Sequence, residues 1–165
     1  MNKILIEQVI PKANRNHRDN FSNINLLDKL TNNEWLYVED ELIKLLHKFP
    51  EDSLIYDSLV YKQSTKCLSV MYENLFNCKK EFFQLMIASK IFSINQDIEM
   101  IKSGIKSFNN LDKTDRYYNY TLISALSLLK NFNNKETDEI ILNYIQYNDG
   151  SVSFNAKRLL GFPFQ

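Results

Sequence analysis

Residues 33–50 read NEWLYVEDELIKLLHKFP. Counted from Trp35, apolar side chains recur at Val38, Leu42, Leu45, Leu46 and Phe49, offsets of 3, 7, 10, 11 and 14. A strand would alternate every second residue; these offsets fall on one side of a coil with 3.6 residues per turn. Pro50 stops the segment, because proline has no amide donor and crowds the residue before it. The stretch therefore predicts an amphipathic helix beginning near Asn33.

Outward from this helix the same period continues. Ser53 can cap a helix carrying Leu54, Ile55, Leu59 and Val60, and Ser64 or Thr65 a helix carrying Leu68, Met71, Tyr72, Leu75 and Phe76. Residues 80–93 are apolar around most of a helical circumference, which predicts a central helix covered on several sides. Residues 96–108 carry the narrow stripe Ile98, Ile101, Ile105 and Phe108. Thr114 or Asp115 caps a long helix running to Phe132 with Leu122, Ala125, Leu126 and Leu129 inward. Thr137 opens another, with Ile140, Ile141, Tyr144 and Ile145, and Asp149-Gly150-Ser151 turns into the last, with Val152, Ala156, Leu159 and Leu160. Gly161 sits where a C-terminal cap belongs. Towards the N-terminus, Ile24, Leu26, Leu27 and Leu30 predict a short helix ending around Asn32, and Ile4 to Ile10 another ending near Pro11. The polar, basic residues 12–20 read as a loop or flexible arm.

Eight or nine helices joined by loops of two to six residues must fold back on each other as antiparallel hairpins. Composition agrees: 165 residues contain only 3 Gly and 3 Pro, too few for the tight turns of a strand-rich fold. The expectation is an all-α chain with an N-terminal helix and partly irregular arm over 1–24 and one helical domain over 25–165. No apolar run reaches the ~20 residues that span a bilayer. The opening Met1-Asn2-Lys3-Ile4-Leu5-Ile6 is interrupted by Glu7 before it could serve as a secretory signal. A cytoplasmic protein with no membrane contact is expected, and Cys67 and Cys78 are read as two buried, reduced thiols.

The chemistry of reaction centres is sparse. His17 and His47 are the two histidines, and no His-Glu-x-x-His, Cys-x-x-Cys or Gly-x-Ser-x-Gly pattern occurs. Glycines at 104, 150 and 161 cannot build a phosphate loop. The expectation is no enzyme, no cofactor, no metal and no small-molecule substrate. Lys plus Arg and Asp plus Glu are 20 each, and this neutrality counts against a dedicated nucleic-acid binder. Charge is nevertheless uneven. Residues 33–57 hold seven acids against two lysines, a balance of −5, whereas residues 58–90 hold five lysines against two acids, +3.

Such an acidic stretch suits a basic protein surface, since complementary fields speed association. Tyrosines add to it, being large, rigid and polar-tipped contact residues. Glu39 and Asp40 lie off the Trp35–Leu42–Leu46 stripe and are expected to face water. The candidate partner-binding residues are Glu34, Tyr37, Glu39, Asp40, Glu41, Asp57, Tyr61, Tyr117 and Tyr118.

Weak internal repetition gives the helices a more specific reading. Ala88-x-x-Ile91-Phe92, Ala125-x-x-Leu128-Leu129 and Ala156-x-x-Leu159-Leu160 follow each other at spacings of 37 and 31 residues. Small alanines permit close helix approach, and the large pairs fill the layer between hairpins. Asp149-Gly150-Ser151-Val152-Ser153-Phe154-Asn155-Ala156-Lys157-Arg158-Leu159-Leu160-Gly161 resembles the second helix of a HEAT repeat, with Ser153 where that family usually has Arg. Trp35-Leu36-Tyr37-Val38-Glu39-Asp40-Glu41-Leu42-Ile43 is similar to a Trp-x-x-x-Glu-Asp helix of small bacterial HEAT-like proteins. Among those are immunity proteins of polymorphic toxin systems, including contact-dependent growth inhibition. The resemblance, over residues 33–161 at most, implies a short HEAT-like α-solenoid that binds and neutralises a cognate toxin protein domain, such as a nuclease. The alternatives are a HEAT-like nucleic-acid binder, using Lys62, Lys66, Lys79, Lys80 and Lys90, and a scaffold for other proteins.

Overall fold

The computed structural model describes residues 2–11 and 22–163; the basic stretch read as an arm lies outside them. Ten helices and no strand occur among the described residues, so the all-α expectation holds. Two compact units share the chain, Met1–Asn74 and Leu75–Gln165, where the sequence reading drew its one boundary at residue 24.

The first unit contains α1 (Asn2–Val9), α2 (Ile24–Leu27), α3 (Asn32–Lys48), α4 (Ser53–Tyr61) and most of α5 (Leu68–Asn77). The quoted stretch is α3. Its start is set by a capping box: Glu34 N–H donates to Thr31 Oγ1, while Thr31 N–H donates to Glu34 Oε2 at 2.9 Å. That arrangement satisfies two orphan amide donors reciprocally. Asp52, one residue before the expected Ser53, caps α4 by accepting from Leu54 N–H.

Val38, Leu42 and Leu46 of α3 are fully buried, as are Ile55, Tyr56 and Leu59 of α4, which packs against α3. Phe49 is not in this core; it follows the last helical residue and is exposed. α5 begins at Leu68, later than Ser64 or Thr65, and buries a different stripe from the expected one. Cys67, Val70, Met71 and Asn74 turn inward, and Phe76 is 87% exposed. The register follows a polar anchor: Asn74 Nδ2 donates to Leu46 O at 3.3 Å and to the Tyr56 hydroxyl at 3.1 Å, and that hydroxyl donates to Pro50 O. Buried polar groups left unpaired cost about 1–3 kcal/mol, enough to override a purely apolar stripe.

The second unit is built from α6 (Glu81–Asn95), α7 (Glu99–Asn109), α8 (Tyr118–Lys130), α9 (Lys135–Leu142) and α10 (Gly150–Leu159). α6 buries every position from Leu85 to Phe92 except Lys90, and packs on both α7 and α8. It is the central helix that its all-round apolarity predicts. Late Ser107 of α7 donates to early Gln84 of α6, so the two run antiparallel. At Gly104 of α7 an added Cβ would lie 2.6 Å from the ring of Phe132, just beyond α8, and 3.3 Å from Leu85 of α6. Ile98 precedes α7's first residue; the helical period does not yet hold there, and it is 67% exposed instead of buried.

Beyond α7, α8 packs on α9 and α10, and Ala88, Ala125 and Ala156 of α6, α8 and α10 are all fully buried. Asn134 caps α9, and Thr137, expected as its opening residue, is buried in its first turn. α10 ends as expected: Gly161 takes a positive φ of 75°, and Phe162 N–H reaches back to Lys157 O. This closes the helix with a Schellman motif.

Candidate partner-binding surfaces

In the first unit the acids of α3 meet different fates. Asp40 is exposed and paired with Lys66; Glu41 is half-buried and paired with Lys44 at 2.6 Å. Glu34 is held by Thr31, whose hydroxyl and amide bonds keep the carboxyl below the usual carboxylate range. Glu39 does not face water. It is 8% exposed, one helical position from Val38 on the side where the α4–α5 connection passes, and its charge acts on Lys66 and Cys67. The expectation of a solvent-facing Glu39 is therefore corrected: the α4–α5 turn covers that flank. Burial pushes the Cys67 thiol up to about 11, while Cys78 is only half-buried, against the expectation of two enclosed thiols.

The balance of −5 over residues 33–57 thus overstates the field that a partner would meet. Two cations that lie later in the chain come back onto α3: Lys66 closes on Asp40, and Lys62 Nζ stands 5.4 Å from the Trp35 ring centroid. Asp57 and Tyr61 remain exposed, one turn apart on α4, and the Tyr61 hydroxyl donates to Asp28 at 2.7 Å. Tyr37 is half-buried on α3 beside the exposed Leu36. Of the lysines proposed for nucleic acid, Lys62 and Lys66 are engaged in this way, and Lys80 lies over the Phe83 ring at 5.3 Å.

The second unit concentrates tyrosines at the start of α8. Asp115 Oδ1 accepts from Tyr117 N–H at 2.8 Å, which turns the chain into the helix. Tyr118 lies one full turn before the buried Leu122 and faces inward. It is hydrogen-bonded to Tyr144, within a cluster where Tyr144 meets Phe108 at 5.9 Å and Tyr147 at 5.5 Å between ring centroids. Burial, helped by these phenols, pushes Tyr118 up to about 12. Tyr117 and Tyr120 fall on the opposite side of the helix and are 53% and 75% exposed. The Arg116 guanidinium carbon sits 4.5 Å from the Tyr117 ring centroid. Asn119, between these tyrosines, donates to Asp149, the N-cap of α10, so the N-terminal ends of α8 and α10 lie side by side.

The site residues expected from sequence are therefore divided. Glu34, Tyr37, Glu39, Asp40, Glu41, Asp57 and Tyr61 belong to the first unit, Tyr117 and Tyr118 to the second. Tyr118 is half-buried against Tyr144, and Tyr120 and Arg116 are exposed neighbours outside that expectation. The signal for Tyr120 was present, since it lies two residues before Leu122 and so points away from the core face. Among the described residues no three of His, Cys, Asp and Glu gather as a metal-holding group, and no helix is long and apolar enough to cross a membrane. Compared with protein-family models, curated proteins and solved structures, the chain matches none of them.

Proposed function

We propose that this chain is a protein-binding immunity protein, without catalytic activity of its own, that occupies and neutralises a bacterial toxin domain. The observation that carries the protein-binding part is the exposed Tyr117–Tyr120 pair with Arg116 stacked on it. Tyr and Arg are the residues that most often dominate protein interfaces, where truncating one costs 2 kcal/mol or more, a figure of about that size for a central contact. The packing order of the second unit supports this reading, and we propose that it is a HEAT-like stack of hairpins. Within the second unit α6, α8 and α10 pack in succession, each with its alanine buried, while α7 and α9 lie against α6 and α8. Stacked hairpins of this kind leave extended faces for recognition.

The toxin as partner rests on the likeness of the Trp35–Ile43 stretch to a helix of small bacterial HEAT-like proteins, immunity proteins among them, while the Asp149–Gly161 stretch resembles a HEAT-repeat helix. Co-expression with a toxic domain encoded beside this chain's gene tests it. Restored growth and co-purification of a stoichiometric complex are expected. Unrelieved toxicity with no complex would remove the proposal.

A further inference from the structure

We infer that the Arg116–Tyr117–Tyr120 surface of the second unit recognises a carboxylate side chain on its protein partner. This rests on the protein-binding reading above and names the chemistry of the same surface.

Arg116 makes no hydrogen bond or ion pair among the described residues; its one interaction is the stack on Tyr117. Over that ring the guanidinium keeps its N–H groups without a hydrogen-bond partner among the described residues. A planar fork held in this way matches the two oxygens of a carboxylate and loses little freedom on binding. The hydroxyls of exposed Tyr117 and Tyr120 and the ammonium of exposed Lys113 add further donors, none with a partner among the described residues.

Each carboxylate of the same loop commits one oxygen to the loop itself. Asp112 takes the amide and hydroxyl of Thr114 at 2.8 and 2.6 Å, which keeps its carboxyl below the usual range, and Asp115 takes the Tyr117 amide. The surface therefore presents the donors of Arg116, Tyr117, Tyr120 and Lys113 beside two carboxylates that each hold a loop group through Oδ1.

An acidic protein side chain is favoured over a phosphate backbone. Asp112 and Asp115 cancel the charges of Lys113 and Arg116, so the loop carries no net positive field. Nucleic-acid affinity comes largely from such a field, through release of counterions. A single carboxylate needs only the short-range fork and hydroxyls.

Selection of displayed random dodecapeptides on the full chain tests the inference. Enrichment of Asp or Glu at a fixed position is expected, and a selected peptide should lose about tenfold in affinity against Arg116→Ala, or when its acid is replaced by the amide. Arg116→Lys should not restore it, because an ammonium has no planar fork. Peptides without an enriched acid, or indifferent to Arg116→Ala, would overturn the inference while leaving a protein partner in place. Failure to select any peptide would overturn it as well. Arg116-dependent binding of a single-stranded oligonucleotide at about 50 mM salt would overturn both this inference and the protein-binding reading.

Discussion

The polar groups around α3 and those at the start of α8 were equally prominent in the sequence, yet the fold uses them in opposite ways. Around α3 they are turned on one another: Thr31 with Glu34, Asp40 with Lys66, Glu41 with Lys44, and Glu39 under the α4–α5 turn. At the start of α8 the carboxylates serve the backbone and the donors are left facing solvent. A charge count along the chain measures neither. It records which charges are near in sequence, whereas a partner meets only those that the fold has not already neutralised.

The inward character of the first region is most sharply exposed by thiol chemistry. Cys67, fully buried with its pKa raised to about 11, should react with a thiol reagent at pH 8 more slowly than half-buried Cys78, by roughly a hundredfold or more. Mass spectrometry of the alkylated chain would read this, and equal rates would show that Cys67, at the end of the α4–α5 turn, is not buried as described. Next in size, Gly104→Val should destabilise the chain by about 1–3 kcal/mol in urea unfolding, because the Phe132 ring fills the space a side chain needs. A neutral effect would mean that Phe132 packs on α7 more loosely than described.

Thr31→Ala should cost about 1 kcal/mol by loss of the capping box. Its pH dependence has a definite sign. Glu34 is held below its ordinary pKa in the folded chain, so the stability it contributes is present above the ordinary carboxylate range and fades as pH falls through it. The gap in Tm between the variant and the parent should therefore narrow in acid. Smallest of all, Asp40→Asn should change stability by about 0.5 kcal/mol or less, since its pair with Lys66 is exposed to water. A larger loss would make the α3 surface more of a structural device than it is taken to be here.

Much of the fold was legible because helical periodicity is local. α3 follows from the offsets of its apolar residues, and α6 from the lack of a polar side. Gly161 at the end of α10 followed from position alone. What escaped depends on partners distant in sequence. Asn74 turned α5 about its axis by bonding Leu46 and Tyr56, leaving Phe76 outside. Glu39 was covered by a turn 25 or more residues later, around Ser64 to Cys67. In the candidate surface, the exposed Tyr117 was legible, and Tyr120 could have been ranked with it by its angle to Leu122. The free donors of Arg116 could not, because sequence does not say which of the nearby carboxylates are already committed.

The account turns on the α8 surface being the contact. The affinity of the toxin domain proposed as partner for a Tyr117→Ala, Tyr120→Ala double variant, measured by calorimetry beside an Asp40→Ala, Glu41→Ala variant, tests this most directly. A loss of about a hundredfold for the tyrosine variant, with a change of about threefold or less for the acid variant, is the predicted result. Undiminished binding by the tyrosine variant, with the loss falling on the acids of α3, would contradict it.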